Sequence, residues 1–282
     1  FDQALAFEKR IKKDKKSQKR FSMRFREGMV YEHIDLNLDN PFLQDINVRK
    51  ALVHSIDRNK LTKALFDGRQ KPAVNNIHPL DKYFSKEESV LYPYDLKKAR
   101  QLLEKAGWKK GAGGYRYKDG KKLSFQIMTT SGNKTRELVE VFLQSEWKKV
   151  GIEITIKNEP ARVFFSETTR KRNYPAMAMY AWISAPDAPP LSSLHSRMIA
   201  TKENGYNGQN YTGWKNAEVD RLLDNIMLEF DFEKRKKMMA KVQYHYTNEV
   251  PVIPLYLRSD IAVVPANMQN FRLTGNLNSS SH

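Results

Sequence analysis

The sequence predicts an α/β fold, because segments with the two-residue period of strands and segments with the 3.6-residue period of helices alternate along the chain. The alternation is clearest between residues 133 and 182, where helix, strand, helix and strand patterns follow one another. The 282 residues are 40% hydrophobic, which is enough to bury the core of one large domain or two small ones. This order of elements is typical of layered α/β domains.

Residues 1–29 are a basic N-terminal segment, which contributes to the formal net charge of +17. A strongly basic chain favours acidic partners such as nucleic acid. The basic residues between Lys9 and Arg20, however, have no aromatic residues among them that could stack on bases. Phe7 and Ile11 instead lie one helical turn apart. We therefore predict a solvated helix or linker here, and no nucleic-acid partner.

Residues 30–66 are predicted to contain a strand followed by two short helices. The strand lies near residues 30–38, where apolar and polar residues alternate before an Asn-Pro pair ends it. Asp45 can cap a helix with an apolar stripe, and Asp57 can cap a second one. The two helices should therefore meet at Asp57.

The stretch from residue 68 to residue 94 is punctuated by glycine and proline, and it is predicted to be a long ordered loop at the surface. Asp95 then caps the clearest helix of the chain, which Gly107 ends as the left-handed residue. A hairpin is predicted around Asp119-Gly120, because this dipeptide tolerates the positive φ of tight turns. Its strands are predicted at residues 115–117 and 123–127.

The second half of the chain repeats the alternation of helices and strands. Apolar residues at helical spacing predict helices, and alternating or continuous apolar runs predict strands. The predicted helices are residues 133–150, a stretch near 162–169, and two between residues 219 and 246. The predicted strands are residues 152–156, 176–182, 252–257 and 261–264, and residues 273–282 are predicted to be a polar tail.

Motifs that would support catalysis or cofactor binding are scarce. The chain has no cysteine, and its six histidines show no pair at the spacing of metal ligands. The segment from Gly114 to Gly120 lacks the spacing, and the Ser or Thr, of a phosphate-binding loop. We therefore predict no catalytic residue, no metal and no cofactor. Scattered carboxylates leave a hydrolase, or a nucleic-acid-associated basic α/β domain, as the alternative function.

A series of short motifs extends from about Val30 to Phe271. The motifs are Pro41-Phe42, Val48 to Leu52, Ile56-Asp57-Arg58, Tyr92-Pro93-Tyr94-Asp95, Val150-Gly151-Ile152, Asn210 to Asn216 and Pro251 to Tyr256. In this order they resemble the oligopeptide, dipeptide and nickel class of extracellular (periplasmic) solute-binding proteins, which are subunits of ABC importers. Together the motifs are far more specific than any one of them.

The resemblance implies a periplasmic-binding-protein-like class II fold, in which two α/β lobes joined by crossing strands enclose the ligand by a hinge motion. Members of the class are nearly twice as long, so we expect this chain to be the C-terminal half. Residues 30–272 would form mostly the second lobe, and residues 1–29 would be a linker from the missing N-terminal half. Surfaces that pack on that half would be exposed here and could cause self-association.

The function implied by the resemblance is the substrate-binding component of an ABC importer, which is not an enzyme. It would capture peptides, or a related small solute, and deliver them to permease subunits at the periplasmic or extracellular face of the bacterial membrane. No run reaches the ~18 apolar residues of a membrane span, and no leader precedes Phe1. We therefore expect a soluble, processed or truncated chain.

The resemblance also implies ligand contacts around the turn that begins at Trp182. The residues assigned to this site are Tyr180, Trp182, Ser184, Ala185, Asp187, Asn210 and Tyr211. Members that hold the amino terminus of a peptide place an Asp three residues after the Trp, where this chain has Ala185. Either the acid has moved to Asp187, or the protein does not bind a free peptide amine. The alternative for Trp182 is an aromatic residue packed in the core at the end of a strand.

Overall fold

A six-stranded mixed sheet organises the computed structural model, which describes residues 1–183 and 187–273. The strands are β1 (Phe21–Leu36), β2 (Lys71–Pro72), β3 (Lys109–Lys110), β4 (Arg116–Lys118), β5 (Lys121–Lys122), β6 (Ser124–Met128), β7 (Glu153–Ile156), β8 (Met177–Ile183) and β9 (Val252–Pro265). The sheet has the order β2-β9-β1-β8-β6-β7, and β3, β4 and β5 form a small second sheet. Since β1 is antiparallel to β8 and β9 while β6 is parallel to β7 and β8, the predicted α/β class is confirmed.

Helices connect the strands and cover the sheet. They are α1 (Asp2–Lys13), α2 (Lys15–Arg20), α3 (Ile46–His54), α4 (Arg58–Phe66), α5 (Leu96–Lys105), α6 (Lys134–Lys148), α7 (Ala161–Val163), α8 (Leu191–Leu194), α9 (Ala217–Leu228) and α10 (Phe232–Glu249). A π-helical turn, Phe164–Thr169, continues α7, and short 3-10 turns lie at Ala112–Gly114 and Ser196–Met198. Within the described ranges, none of the helices is long and apolar enough to cross a bilayer.

The predicted helix caps of α3, α4 and α5 are confirmed. The carboxylates of Asp45, Asp57 and Asp95 each accept a hydrogen bond from a backbone N–H in the first helical turn, at 2.8, 2.9 and 2.8 Å. Gly107 follows α5 with a φ of +86°, as predicted for the left-handed residue after a helix. These local hydrogen bonds fix where the helices begin and thereby which face each helix turns to the core.

The main core lies between one face of the sheet and helices α3 to α6. Ile34 and Leu36 of β1 and Met177 and Met179 of β8 are at most 1% exposed there, beside the fully buried ring of Trp147 from α6. A second core joins α9 and α10 to the end of the sheet at Val252. The opposite face of β1 and β8 does not contact this core and carries the alternate side chains of both strands.

Two strands are longer than predicted. β1 begins at Phe21, not near residue 30, and residues 252–257 and 261–264 belong to the single strand β9. The extra residues of β1 alternate apolar Phe21, Met23 and Phe25 with polar residues, are mostly only partly buried, and pair with β9 from Phe21↔Pro265 to Glu27↔Ser259. Backbone pairing in this two-stranded extension replaces the apolar burial on which the predictions relied. The domain division at residue 29, which falls inside β1, remains a prediction.

The predicted hairpin is half correct. Asp119 and Gly120 adopt φ angles of +50° and +72°, which confirms the turn. The second strand of the hairpin, however, is only β5, because the predicted strand at residues 123–127 joins the main sheet as β6. Phe125 and Ile127 are buried in the main core, and the burial of these side chains outweighs continuation of the hairpin.

The basic N-terminal segment begins with α1 and α2, which are separated at Asp14, so the prediction of a helix is confirmed for residues 2–13 and 15–20. Ile11 is 7% exposed, and none of the residues of α2 is buried. The Glu8 carboxylate pairs with the Arg69 guanidinium and so connects α1 to the loop after α4. The predicted polar tail lies outside the described residues from position 274 onward.

Candidate functional site

A cleft lies over β1 and β8 on the face of the sheet opposite the main core. It consists of an inner cavity of about 20 Å³ and an outer cavity of about 120 Å³. The residues that line both cavities are Tyr31, Asn76, Trp182, Ser193 and Gln209. Aromatic walls with a few amide and hydroxyl groups are the usual lining of small-molecule sites.

The pairing of β1 with β8 determines which side chains face the cleft. Tyr31 is opposite Trp182 and His33 is opposite Tyr180, and alternate residues of a strand point to one face. The same alternation places Asp35 on this face, two residues after His33. The site therefore results from strand register, and residues distant in sequence meet in it.

Aromatic rings form one wall of the cleft. The ring of Trp182 lies 5.7 Å from the ring of Tyr180 in an edge-to-face contact, and 6.3 Å from the ring of Tyr211 in a stacked contact with an interplanar angle of 20°. Trp182 is only partly buried, whereas Tyr180 is 2% exposed. Trp182 thus exposes part of its aromatic surface to the cleft while it packs against the buried ring of Tyr180.

Beneath these rings lies a buried acid. The Tyr180 hydroxyl donates a hydrogen bond to Oδ2 of Asp35, and Nε2 of His33 lies 3.3 Å from Oδ1. The ring of His33 lies 4.4 Å from that of Tyr180 and 4.9 Å from that of Tyr31. Burial, and then the nearby charge of Asp35, raise the pKa of Tyr180, so its hydroxyl keeps its proton and remains a donor.

The predicted site residues do not all lie together. Trp182 and Tyr211 line the cleft, and Tyr180 lies under it. The side chain of Asn210 is fully buried within its own loop, where Nδ2 donates to the carbonyls of Leu194, His195 and Trp214, and Oδ1 accepts from the Thr212 hydroxyl. Asn210 therefore shapes the loop beside the cleft.

Asp187, the candidate for a displaced acid, has a left-handed φ of +64° and an exposed side chain. Its Oδ1 lies 3.0 Å from Nζ of Lys82, and its backbone N–H donates to Asp81. An ion pair with both partners about half exposed is weak and can be displaced. Two further predicted residues, Ser184 and Ala185, lie outside the described residues.

Four further residues line the cleft but were not predicted as site residues, namely Tyr31, Asp35, Asn76 and Gln209. Tyr31 and Asp35 could have been found, because residues 31, 33 and 35 are polar or aromatic at the two-residue spacing of one strand face. Asn76 comes from the long loop between α4 and α5, and Gln209 from the loop after α8. No pattern in sequence indicates that these two loops meet.

A larger cavity, of about 290 Å³, lies on the other face of β1 beside Glu32 and Arg258. The buried carboxylate of Glu32 is already paired there with the guanidinium groups of Arg136 and Arg258. Across the described part of the chain, no cluster of three or more His, Cys, Asp or Glu could hold a metal ion. The aromatic cleft is therefore the better candidate for a ligand site.

Comparison with known proteins gives a consistent result. The family described as bacterial extracellular solute-binding proteins, family 5 Middle, matches residues 2–198. The chain is similar to the oligopeptide-binding protein AppA of Bacillus subtilis, with 31% identity over 87% of this chain and 44% of the relative. It is also similar to the oligopeptide-binding protein OppA of the same organism, with 28% identity over 83% of this chain and 41% of the relative.

Solved structures give the same result for the fold. The oligopeptide-binding protein of Thermus thermophilus complexed with a pentapeptide aligns with a TM-score of 0.80 and 34% identity, over 90% of this chain and 45% of that one. AppA of B. subtilis in complex with a nonapeptide aligns with a TM-score of 0.82 and 27% identity, over 96% of this chain and 52% of AppA. The predicted fold of the solute-binding proteins is thereby confirmed. The chain spans about half the length of the relatives it matches.

Proposed function

Because the chain belongs to the family 5 bacterial extracellular solute-binding proteins, we propose that it forms part of the substrate-binding component of an ABC importer, with a peptide as ligand. The observation that carries this proposal is the cleft over β1 and β8, where Tyr31 and Trp182 face each other in strand register at its walls. The two oligopeptide-binding relatives and the two aligned peptide complexes support a peptide as the ligand.

The chemistry of the cleft suits a ligand with both apolar and hydrogen-bonding groups. Trp182 and Tyr211 provide stacked rings, while the side-chain amides of Asn76 and Gln209 provide donors and acceptors in the same walls. A peptide presents such alternating character along its length, and main-chain hydrogen bonds allow one site to accept many sequences. The described part of the cleft is open, which fits a surface that a second lobe would cover.

In this proposal the ligand is carried and not altered. Permease subunits in the bacterial membrane receive it, and the protein works at the periplasmic or extracellular face. The missing N-terminal half closes over the cleft, and β1 and β9 are the strands through which the two halves connect. Tyr31 and Leu257 pair where the core ends and the extension begins, so this position is the proposed hinge.

Thermal unfolding of the full-length protein tests the proposal. Peptides of two to nine residues, a nickel salt and a sugar are added separately, each at ~100 times the Kd expected for its class. Binding to the folded state at that saturation stabilises it by about 2.7 kcal/mol, which is a visible shift in Tm. A shift with peptides alone is the expected result, and mass spectrometry should recover the peptide unchanged. No shift with any peptide would refute peptide capture, and a cleaved peptide would favour a hydrolase.

Self-association of this chain is a separate proposal. Several apolar side chains are exposed around the turn between α9 and α10, namely Met227, Leu228, Phe230 and Phe232, and Phe230 is 96% exposed. Light scattering after size-exclusion chromatography should show a concentration-dependent mass for the 282-residue chain. A monomer at all concentrations would contradict this proposal.

A further inference from the structure

A basic surface covers the outer side of α1 and the whole of α2. Residues 9–20 contain eight lysines and arginines and a single acid, Asp14. The eight basic residues are all exposed, and we call them the basic face: Lys9, Arg10, Lys12, Lys13, Lys15, Lys16, Lys19 and Arg20. Lys9 and Lys13, like Lys15 and Lys19, are four residues apart in one helix, a spacing at which like charges repel each other. A partner of opposite charge would relieve this repulsion.

The inner side of α1 packs on the protein and directs the basic face outward. Ile11 is 7% exposed, and the ring of Phe7 lies 6.4 Å from that of Phe21 at the start of β1. At about 3.6 residues per turn, Lys9 and Lys13 lie on the side of α1 opposite Ile11. The basic face is therefore the surface of a packed element, and not a free arm.

Carboxylates of the chain neutralise little of the basic face. The Asp14 carboxylate caps α2, where it accepts hydrogen bonds from the backbone N–H groups of Lys16 and Ser17. Within the described ranges, Lys12 is the only member that forms an ion pair, with Glu8 at 3.0 Å. Exposed lysines elsewhere do have such partners, as in the pairs Lys63–Asp67 and Lys134–Glu137. The charge of the basic face is thus available to another molecule.

The basic face extends away from the cleft. α2, which carries four of its eight residues, ends where β1 begins at Phe21, and Phe21 pairs with Pro265 at the outer end of the two-stranded extension. Tyr31 of the cleft is ten residues farther along β1, which is about 33 Å at the rise of a strand. A partner bound to α2 would therefore leave the cleft free.

The chemistry of the basic face fits the phosphate headgroups of an anionic phospholipid bilayer. Of the large hydrophobic residues exposed in the described part of the chain, none lies in α1 or α2, so the contact would stay at the headgroups. Lysines and arginines in such number are attracted to an anionic membrane. The family is extracellular, which places a bacterial membrane surface within reach. Nucleic acid fits less well, because the rings of Phe7 and Phe21 pack against each other and are not free to stack on bases.

We propose that the basic face binds the protein reversibly to an anionic phospholipid surface. The inference goes beyond the proposed function and does not depend on which solute the cleft carries. Each lysine or arginine at such a surface strengthens binding by about fivefold. Salt weakens the attraction, because exposed charges are screened beyond the Debye length.

Co-sedimentation of the full-length protein with lipid vesicles tests the proposal. One set of vesicles is made of phosphatidylcholine alone, and the other of phosphatidylcholine and phosphatidylglycerol in equal parts. At low salt the wild type should bind the anionic vesicles about 100-fold more tightly than the neutral ones. High salt should remove most of this difference.

Two variants with the same net charge assign the effect to the basic face. The first carries Lys9→Gln, Lys13→Gln, Lys16→Gln and Lys19→Gln, and its binding to anionic vesicles should be about 100-fold weaker or less. The control removes four exposed lysines elsewhere, by Lys109→Gln, Lys110→Gln, Lys236→Gln and Lys237→Gln, and should bind nearly as the wild type does. Glutamine and lysine have similar helix propensities, so α1 and α2 should form in the first variant.

Three results would overturn the proposal. These are equal binding of the wild type to both kinds of vesicle, an equal loss of binding in the two variants, and tighter binding to single-stranded DNA than to anionic vesicles. The shift in Tm caused by peptides should be the same in the wild type and both variants, since the cleft is unchanged. Failure of membrane binding would therefore leave the proposed function intact, whereas absence of any peptide shift would refute peptide capture alone.

Discussion

The guanidinium of Arg136 and the carboxylate of Glu32 form an ion pair between α6 and the sheet, with Nε and Oε2 3.3 Å apart and 8% and 1% of the two side chains exposed. Arg136 also donates from Nη1 to the Thr130 hydroxyl at 3.0 Å. Arg258 of β9 contacts the same carboxylate. The cluster thereby connects α6, β1 and β9.

We expect Arg136→Met to lower the free energy of unfolding by about 1.5 to 3 kcal/mol, because the buried carboxylate of Glu32 loses one of its two guanidinium partners while Arg258 remains. Urea denaturation gives this value. The matched control is Arg221→Met, which breaks an exposed ion pair with Glu218 and should cost less than about 1 kcal/mol. Equal effects of the two substitutions would show that the buried cluster contributes no more than a surface pair.

Glu140 should make stability depend on pH. Its side chain is fully buried, and burial raises its pKa to about 7, partly opposed by a hydrogen bond from Asn158. Between about pH 4.5 and 7 the unfolded chain loses this proton while the folded chain keeps it. The free energy of unfolding therefore falls as pH rises through that range, by roughly 1 to 3 kcal/mol.

Urea denaturation at pH 5 and pH 8 checks the effect of Glu140. The wild type should lose roughly 1 to 3 kcal/mol more than Glu140→Gln between the two pH values. Glu87→Gln, at an exposed position, serves as the control and should behave as the wild type does. Identical pH dependence in the wild type and Glu140→Gln would contradict a raised pKa at Glu140.

Asn210→Ala should destabilise the protein by about 2 to 4 kcal/mol, since the substitution leaves buried carbonyl groups and the Thr212 hydroxyl without their partner. Chemical denaturation gives the value. Asn207→Ala, on an exposed part of the same loop, is the control and should change stability by less than about 1 kcal/mol. If Asn210→Ala weakened ligand binding without loss of stability, Asn210 would be a contact residue after all.

Trp182→Ala in the full-length protein should weaken peptide binding by about 10- to 100-fold, because a partly exposed aromatic wall of the cleft is lost. Isothermal titration calorimetry gives the affinity. Trp182→Phe, which keeps an aromatic face, should lose less. Phe230→Ala, at an exposed ring on the turn between α9 and α10, should bind as the wild type does. Unchanged affinity in Trp182→Ala would make this residue part of the core and not of the site.

The elements that local chemistry determines could be predicted from the sequence. Asp45, Asp57 and Asp95 cap their helices through hydrogen bonds to residues two or three positions ahead, so neighbours in sequence suffice to identify them. The turn at Asp119-Gly120 could also be predicted, because it depends on the positive φ angles of these two neighbouring residues. The first half of β1 was missed, although Phe21, Met23 and Phe25 alternate there with polar residues, because the segment was assigned to a basic helix or linker and its partner strand β9 lies more than 200 positions later.

The candidate site was predictable only in part for the same reason. Trp182 and Tyr211 stand in motifs that resemble those of a known family, and both line the cleft. Asp35 was missed although the alternation within β1 indicates its face, whereas Asn76 lines the cleft through loop packing, which no single segment encodes. Asn210 was assigned from its motif, but its hydrogen bonds hold the loop together instead.

The two-stranded extension gives the molecule a weak and a strong mechanical direction. Phe21 and Pro265 pair at the same end of the ladder between β1 and β9, and its other end, Asp35↔Val252, is anchored in the folded core. Antiparallel hydrogen bonds lie perpendicular to their strands. A force that pulls Phe21 away from Pro265 in the plane of the sheet, perpendicular to the strands, therefore loads these hydrogen bonds one after another. The extension opens pair by pair from this end. A force along the strands loads them all together and meets the full resistance of the sheet.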